Sequence, residues 1–176
     1  MRTPVRAPAL LAASALAASG AALVPAAPAL ARSGPHAIVV RGPDNVHDQA
    51  FRTAKTKVVV VRDHHRTWVS LRVWGMPREA AGRTFGAHVH VNRCGPKPED
   101  AGPHYHDPDA PPGTPMPKKE IWLDVTVRAD GRGHSRTSVP WRVAEKAAGS
   151  LVVHAKPTDP KTGDAGARLF CTTVPF

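Results

Sequence analysis

From residue 56 onward, apolar residues recur at every second position in short bursts, and no stretch sustains a helical spacing. Ile121, Leu123, Val125 and Val127 alternate with Trp122, Asp124, Thr126 and Arg128, and Val69, Leu71 and Val73 alternate with Ser70, Arg72 and Trp74. Successive side chains of a strand point to opposite faces, so each burst has one face to bury. Val58 to Val61, four valines in a row, reads as a strand covered on both sides. Further strands are predicted over Phe85 to Val91, Gly149 to Ala155 and Arg168 to Val174, with one helical turn between Trp141 and Ala148. Asp130 and Gly131 join the Ile121 to Arg128 burst to Ser135 to Val139 as a predicted hairpin. Some seven short strands imply an all-β chain, an antiparallel β-sandwich or barrel.

The N-terminus reads differently. Arg2 and Arg6 precede an Ala- and Leu-rich run from Ala9 to Val24, and Ala29, Leu30, Ala31 close it with small residues. This is the pattern of a secretory signal peptide over residues 1–31, cut after Ala31. Ser14, Ser19, Gly20 and Pro25 interrupt the run too often for a membrane span. Residues 32–55, mixed in Gly, Pro, Asn and Asp, are expected to form an extended arm with one strand at Ala37 to Val40, leaving 56–176 as a single domain. Cys94 and Cys171 both fall in the exported part, so they are expected to form one disulfide. Closing so long a loop removes unfolded-chain entropy equivalent to about 4 kcal/mol. The competing arrangement, two thiolate metal ligands, lacks a C-x-x-C spacing.

Taking Arg2 and Arg6 from the 24 basic residues leaves 22 against 14 acidic ones, a mature charge of +8 with neutral histidines. Such a balance draws anions. A nucleic acid is not the expected partner, since no basic helix or recognition motif accompanies one Tyr and four Phe. Histidine carries the more specific signal. His88 and His90 sit one residue apart on a predicted strand and so share a face, where two imidazoles can chelate one ion. His104 and His106 form a second pair inside Asn92 to Lys119, a stretch with eight prolines, and His154 ends the apolar run Leu151 to Val153. A loop of that length in a compact domain usually has a function. His36, His47, His64, His65 and His134 are expected at surface or turn positions.

Four short segments then stand in a telling order: GAHVHV from Gly86, AGPHYH from Ala101, LVVH from Leu151 and TGDAGARLFC from Thr162. With Cys94 between the first two, this resembles the copper/zinc superoxide dismutase family from about Val58 to the C-terminus. The resemblance implies a Greek-key, immunoglobulin-like sandwich. It implies copper held by His88, His90, His104 and His154, with His104 in the place of the ring that bridges copper to zinc in the family. It places Cys94 and Cys171 as the disulfide between the long loop and the last strand, and Arg168 beside the copper channel. Arg168 and His104 are thereby the expected catalytic residues.

The pattern breaks at zinc. No histidine lies between His106 and Ile121, and Lys118, Lys119 and Glu120 stand where the last zinc ligands belong. His106, Asp107, Asp109 and Glu120 offer donors at the wrong spacing, so copper is the expected cofactor and zinc is not. The fourteen positions from His154 to Arg168 are also a short loop for the family. The chain looks closest to secreted bacterial, copper-only members. The implied activity is dismutation of superoxide to oxygen and peroxide outside the cytoplasm; a secreted copper-sequestering module without turnover is the alternative. Oligomeric state and any attachment to the cell wall are not legible.

Overall fold

A computed structural model describes residues 36–176; the signal peptide expected over residues 1–31 and its cleavage point lie outside the described residues. In chain order the strands are β1 (His36–Gly42), β2 (Asn45–Val46), β3 (Lys55–Arg62), β4 (Thr67–Trp74), β5 (Thr84–Phe85), β6 (Ala87–His90), β7 (Val125–Thr126), β8 (Gly133–Val139), β9 (Ser150–His154) and β10 (Arg168–Thr173). They form two four-stranded antiparallel sheets, ordered β1-β3-β4-β8 and β2-β10-β9-β6, with β5 and β7 paired beside them. The chain leaves the first sheet after β4, visits the second at β6 and returns as β8 beside β4. The expected all-β sandwich with Greek-key crossings is the observed fold.

The alternation read in the sequence for β4 sets the layers, and β3 shares it, although its four valines were expected to be covered on both sides. On β3 and β4, Val58 faces Leu71 and Val60 faces Val69, all fully buried, while Lys57, Val59, Ser70 and Arg72 turn outward. From the second sheet, Ala87, Val89, Leu151, Val153 and Phe170 enter the same core. Phe51 fills the space between Phe85 and Phe170, with ring centroids 5.8 and 5.9 Å away. Each such aliphatic or aromatic side chain contributes about 1.5–3 kcal/mol by burial.

Three further expectations are corrected. The arm foreseen over 32–55 is, from residue 36, part of the sandwich: β1 pairs with β3 from His36↔Arg62 to Gly42↔Thr56, β2 pairs with β10, and Phe51 lies in the core. Ile38 and Val40 turn inward, so the strand seen at Ala37 to Val40 has a face to bury. The predicted hairpin does not form. Ile121 and Leu123 run along the free edge of β6 through Val89 N–H to Ile121 O and Leu123 N–H to Ala87 O, so only Val125–Thr126 is a strand and it pairs with β5. The Asp130-Gly131 turn is instead the corner where the chain crosses between sheets. Trp141 to Ala148 holds no helix; among the described residues the one α-helical turn is Met116–Lys119.

Candidate metal centre

Ala87 and Val89 enter the core, so His88 and His90 on the same strand must point out of the sandwich, yet both rings are 0 % exposed. The long loop accounts for this. It leaves β6, and its residue Cys94 is bonded to Cys171 on β10, with the two Cα atoms 5.7 Å apart. Ala101, Val152 and Cys171 then form a small second core between the loop and the outer face of the sheet. The loop returns antiparallel to β6 through Tyr105 N–H to Val89 O and Val91 N–H to Pro103 O, which sets His104 opposite His90. On β9, neighbour of β6, His154 shares the outer face and is 4 % exposed, whereas His104 is 18 % exposed.

The four rings converge. One ring nitrogen from each of His88, His90, His104 and His154 lies within 4.8 Å of the others, the geometry of a metal-binding group. His88 Nδ1 is 3.0 Å from His104 Nε2, and His90 Nε2 is 3.3 Å from His154 Nε2.

Each ring is held by its other nitrogen, and that decides where the protons are. His90 Nδ1–H donates to Gly102 O at 2.9 Å and His154 Nδ1–H to Gly166 O at 3.1 Å. Gly102 and Gly166 have φ of +71° and +74°, the left-handed backbone that suits glycine, and this conformation presents their carbonyls. His104 Nδ1–H donates to Glu120 Oε2 at 2.9 Å. His88 Nε2–H donates to Thr158 Oγ1 at 2.7 Å, whose own proton goes to Asp124 Oδ1. Carbonyls and an ionised carboxylate only accept, and the Thr158 proton is already committed. All four rings therefore carry hydrogen on the outer nitrogen and a lone pair on the inner one. Four lone pairs face one point without a proton between them, an arrangement a cation relieves.

Electrostatics agrees with this assignment. Burial, reinforced by the neighbouring histidines, holds His88 well below the ordinary imidazole range. Burial lowers His90 to about 3 and His154 to about 4, against the opposing effect of their carbonyl partners. Neutral imidazoles are the metal-binding form. For Glu120, 3 % exposed, burial raises the carboxyl, but hydrogen bonds from His104, Trp122 and His106 outweigh it and keep the group below its usual range. Trp122 Nε1–H reaches Oε2 at 2.6 Å and His106 Nε2–H reaches Oε1 at 2.8 Å.

The structure thus brings together all four histidines named as copper ligands. Of the donors weighed for zinc, His106 and Glu120 meet each other, while Asp107 accepts from the Asp109 backbone within its own turn. Arg168 donates through its two terminal nitrogens to Pro98 O and Gly102 O, each at 2.7 Å, so it shares the Gly102 carbonyl with His90. Glu120 as anchor of His104, and the Thr158–Asp124 pair behind His88, were not foreseen. The glycines were signalled, Gly102 inside AGPHYH and Gly166 inside TGDAGARLFC. Among the described residues no helix is long and apolar enough to cross a membrane. No protein-family model matches the chain, and no curated protein matches it.

Proposed function

We propose that the four-histidine centre holds copper and that the chain dismutates superoxide outside the cytoplasm, as a copper-only relative of the copper/zinc superoxide dismutases. The observation that carries this reading is the set of four inner nitrogens, all unprotonated and aimed at one point. Nitrogen-only ligation by neutral imidazoles suits copper in both oxidation states. Bound copper would supply one-electron chemistry, accepting an electron from one superoxide and returning it to the next, so that two superoxides and two protons become oxygen and hydrogen peroxide.

The protein's own residues have separate tasks in that cycle. Arg168 spends two donors on carbonyls and keeps the rest of its guanidinium to meet the incoming anion, charged at every working pH. His104, the most exposed of the four rings, would take up and release a proton at Nε2 during turnover while Nδ1–H stays on Glu120. The basic mature chain favours approach of superoxide, an effect that salt screens. The disulfide fits an oxidising compartment.

The test is suppression of superoxide-driven cytochrome c reduction by copper-loaded protein. Activity well above that of equimolar free copper, reduced by Arg168→Ala and by rising salt, is the expected result; activity no higher than free copper overturns the enzyme reading. The burial of three of the four rings also fits a copper-sequestering module. Tight binding without turnover would establish that reading instead.

A further inference from the structure

The metal centre lies on the outer face of the second sheet; the outer face of the first carries a different feature. β1, β3, β4 and β8 contain no Asp or Glu. Their outward positions line up across the sheet, Arg41 beside Lys57, Lys57 beside Arg72 and Arg72 beside His134. With strands about 4.8 Å apart, this basic row spans about 14 Å. The next row ends in Arg136 beside Ser70, and the one after it places Trp68 between Val61 and Ser138. Among the described residues, none of Arg41, Lys57, Arg72 and Arg136 forms an ion pair with a carboxylate. Like charges directly opposite on adjacent strands repel. His134 feels this: burial first, then Arg136, Arg72 and Arg128, push its ring below the ordinary range.

The face is also hollow. A cleft of about 560 Å³ is lined by Lys57, Val61, Trp68, Arg72, His134 and Arg136. One end is cationic and the other is floored by the exposed indole of Trp68 and the half-buried Val61. We propose that this cleft binds a segment of an acidic polysaccharide, with its carboxylate or sulfate groups on the Lys57–Arg72–His134 row and Arg136 and a sugar ring against Trp68. Arginine matches planar anionic groups with paired donors, and an indole face covers the apolar face of a sugar ring while leaving its hydroxyls wet. A concave cleft seats a chain segment, whereas a bilayer calls for a protruding apolar face. Single-stranded nucleic acid calls for a succession of stacking aromatics, and the cleft has one.

Calorimetric titration of the full chain with polygalacturonate, dextran sulfate and neutral dextran tests the proposal. Both acidic glycans bind and dextran does not. Lys57→Ala combined with Arg72→Ala weakens binding at least tenfold and flattens its salt dependence, and the single variant Arg136→Glu weakens it independently. Trp68→Ala weakens it several-fold with the salt dependence unchanged. The charge-matched pair Arg52→Ala and Arg78→Ala, exposed on other parts of the surface, changes affinity less than twofold. Unfolding midpoints close to that of the parent chain establish that each variant is folded. Equal losses from the two charge-matched pairs would reduce the effect to net charge and overturn the site. Tighter binding to single-stranded DNA or to phosphatidylglycerol vesicles than to either glycan would overturn it as well.

Discussion

His90 and His154 are neutral rings near pH 7 because burial opposes their charged form, and this ties the stability of the metal-free chain to pH. Unfolded, each takes up a proton near 6.5; folded, only near 3 for His90 and 4 for His154. Between those values the unfolded state binds more protons, so stability is complete above about 6.5 and falls as pH drops toward 4. Each group contributes up to about 1.4 kcal/mol per pH unit. Glu120 acts in the same direction at lower pH, since its depressed carboxyl stabilises the fold above its unfolded value and ceases to as pH falls through its folded one. The unfolding midpoint of metal-free protein should be flat from pH 8 to 7 and drop by on the order of 10 °C between pH 6.5 and 5. A midpoint constant from pH 7 to 4.5 would show that the rings are not held neutral. Glu120 has a second consequence. Its two oxygens serve three donors, and Glu120→Gln leaves one acceptor oxygen and turns an amide N–H₂ toward donors already in place. A buried donor left unmet costs about 1–3 kcal/mol. His104 then loses its orientation, and copper affinity, measured by competition with a chromophoric chelator, should fall about 10- to 100-fold. Unchanged affinity would mean that Glu120 does not orient the ligand.

At the scale of elements, the loop from Asn92 to Lys119 carries His104, covers His88 and His90, and supplies the Gly102 carbonyl on which His90 and Arg168 both rest. Its attachment to β10 through Cys94–Cys171 therefore holds the ligand set as well as the fold. Replacing both cysteines with serine should cost about 2–5 kcal/mol, read as a lower denaturant midpoint, and weaken copper binding in the same protein. Weaker stability with intact copper affinity would limit the bond to the fold. This loop also marks the boundary of what the sequence discloses. A strand whose inward positions alternate, such as β4, was legible because burial imposes period two on the residues themselves; the valine run of β3 told of a strand but not of its outward face, since four valines carry no period. His88 and His90 were legible by the same period of two, lying two apart on one strand. The partner of Ile121 to Val127 was not legible: an alternating segment states which face it buries but not which edge it joins, and here the free edge of β6 took Ile121 and Leu123 and β5 took Val125 and Thr126, in place of β8. Glu120 read as a zinc donor at the wrong spacing because its meeting with His104 depends on the loop's return path, a three-dimensional fact. Thr158 and Asp124, 34 positions apart, left no local pattern at all.

On the scale of the whole molecule, the native chain presents a group of donors that the unfolded chain scatters over positions 88, 90, 104 and 154. An ion that needs all four nitrogens binds the folded state and not the unfolded one, so metal binding is stabilisation of the entire sandwich. The gain is about 2.7 kcal/mol when free copper stands a hundredfold above its dissociation constant. For a chain of this size that corresponds to a rise in unfolding midpoint on the order of 10 °C. Because the inner nitrogens surround a single point, the rise should be complete at one copper per chain and reversed by a chelator. His90→Ala and His154→Ala each remove a buried ligand from that point and should abolish most of the rise, whereas His134→Ala, on the other sheet, should leave it intact. A midpoint still climbing toward two equivalents would place a further ion elsewhere, with His106 and Glu120 the first position to examine. A midpoint indifferent to copper would mean that the four lone pairs are accommodated without an ion, and the metal centre itself would fall.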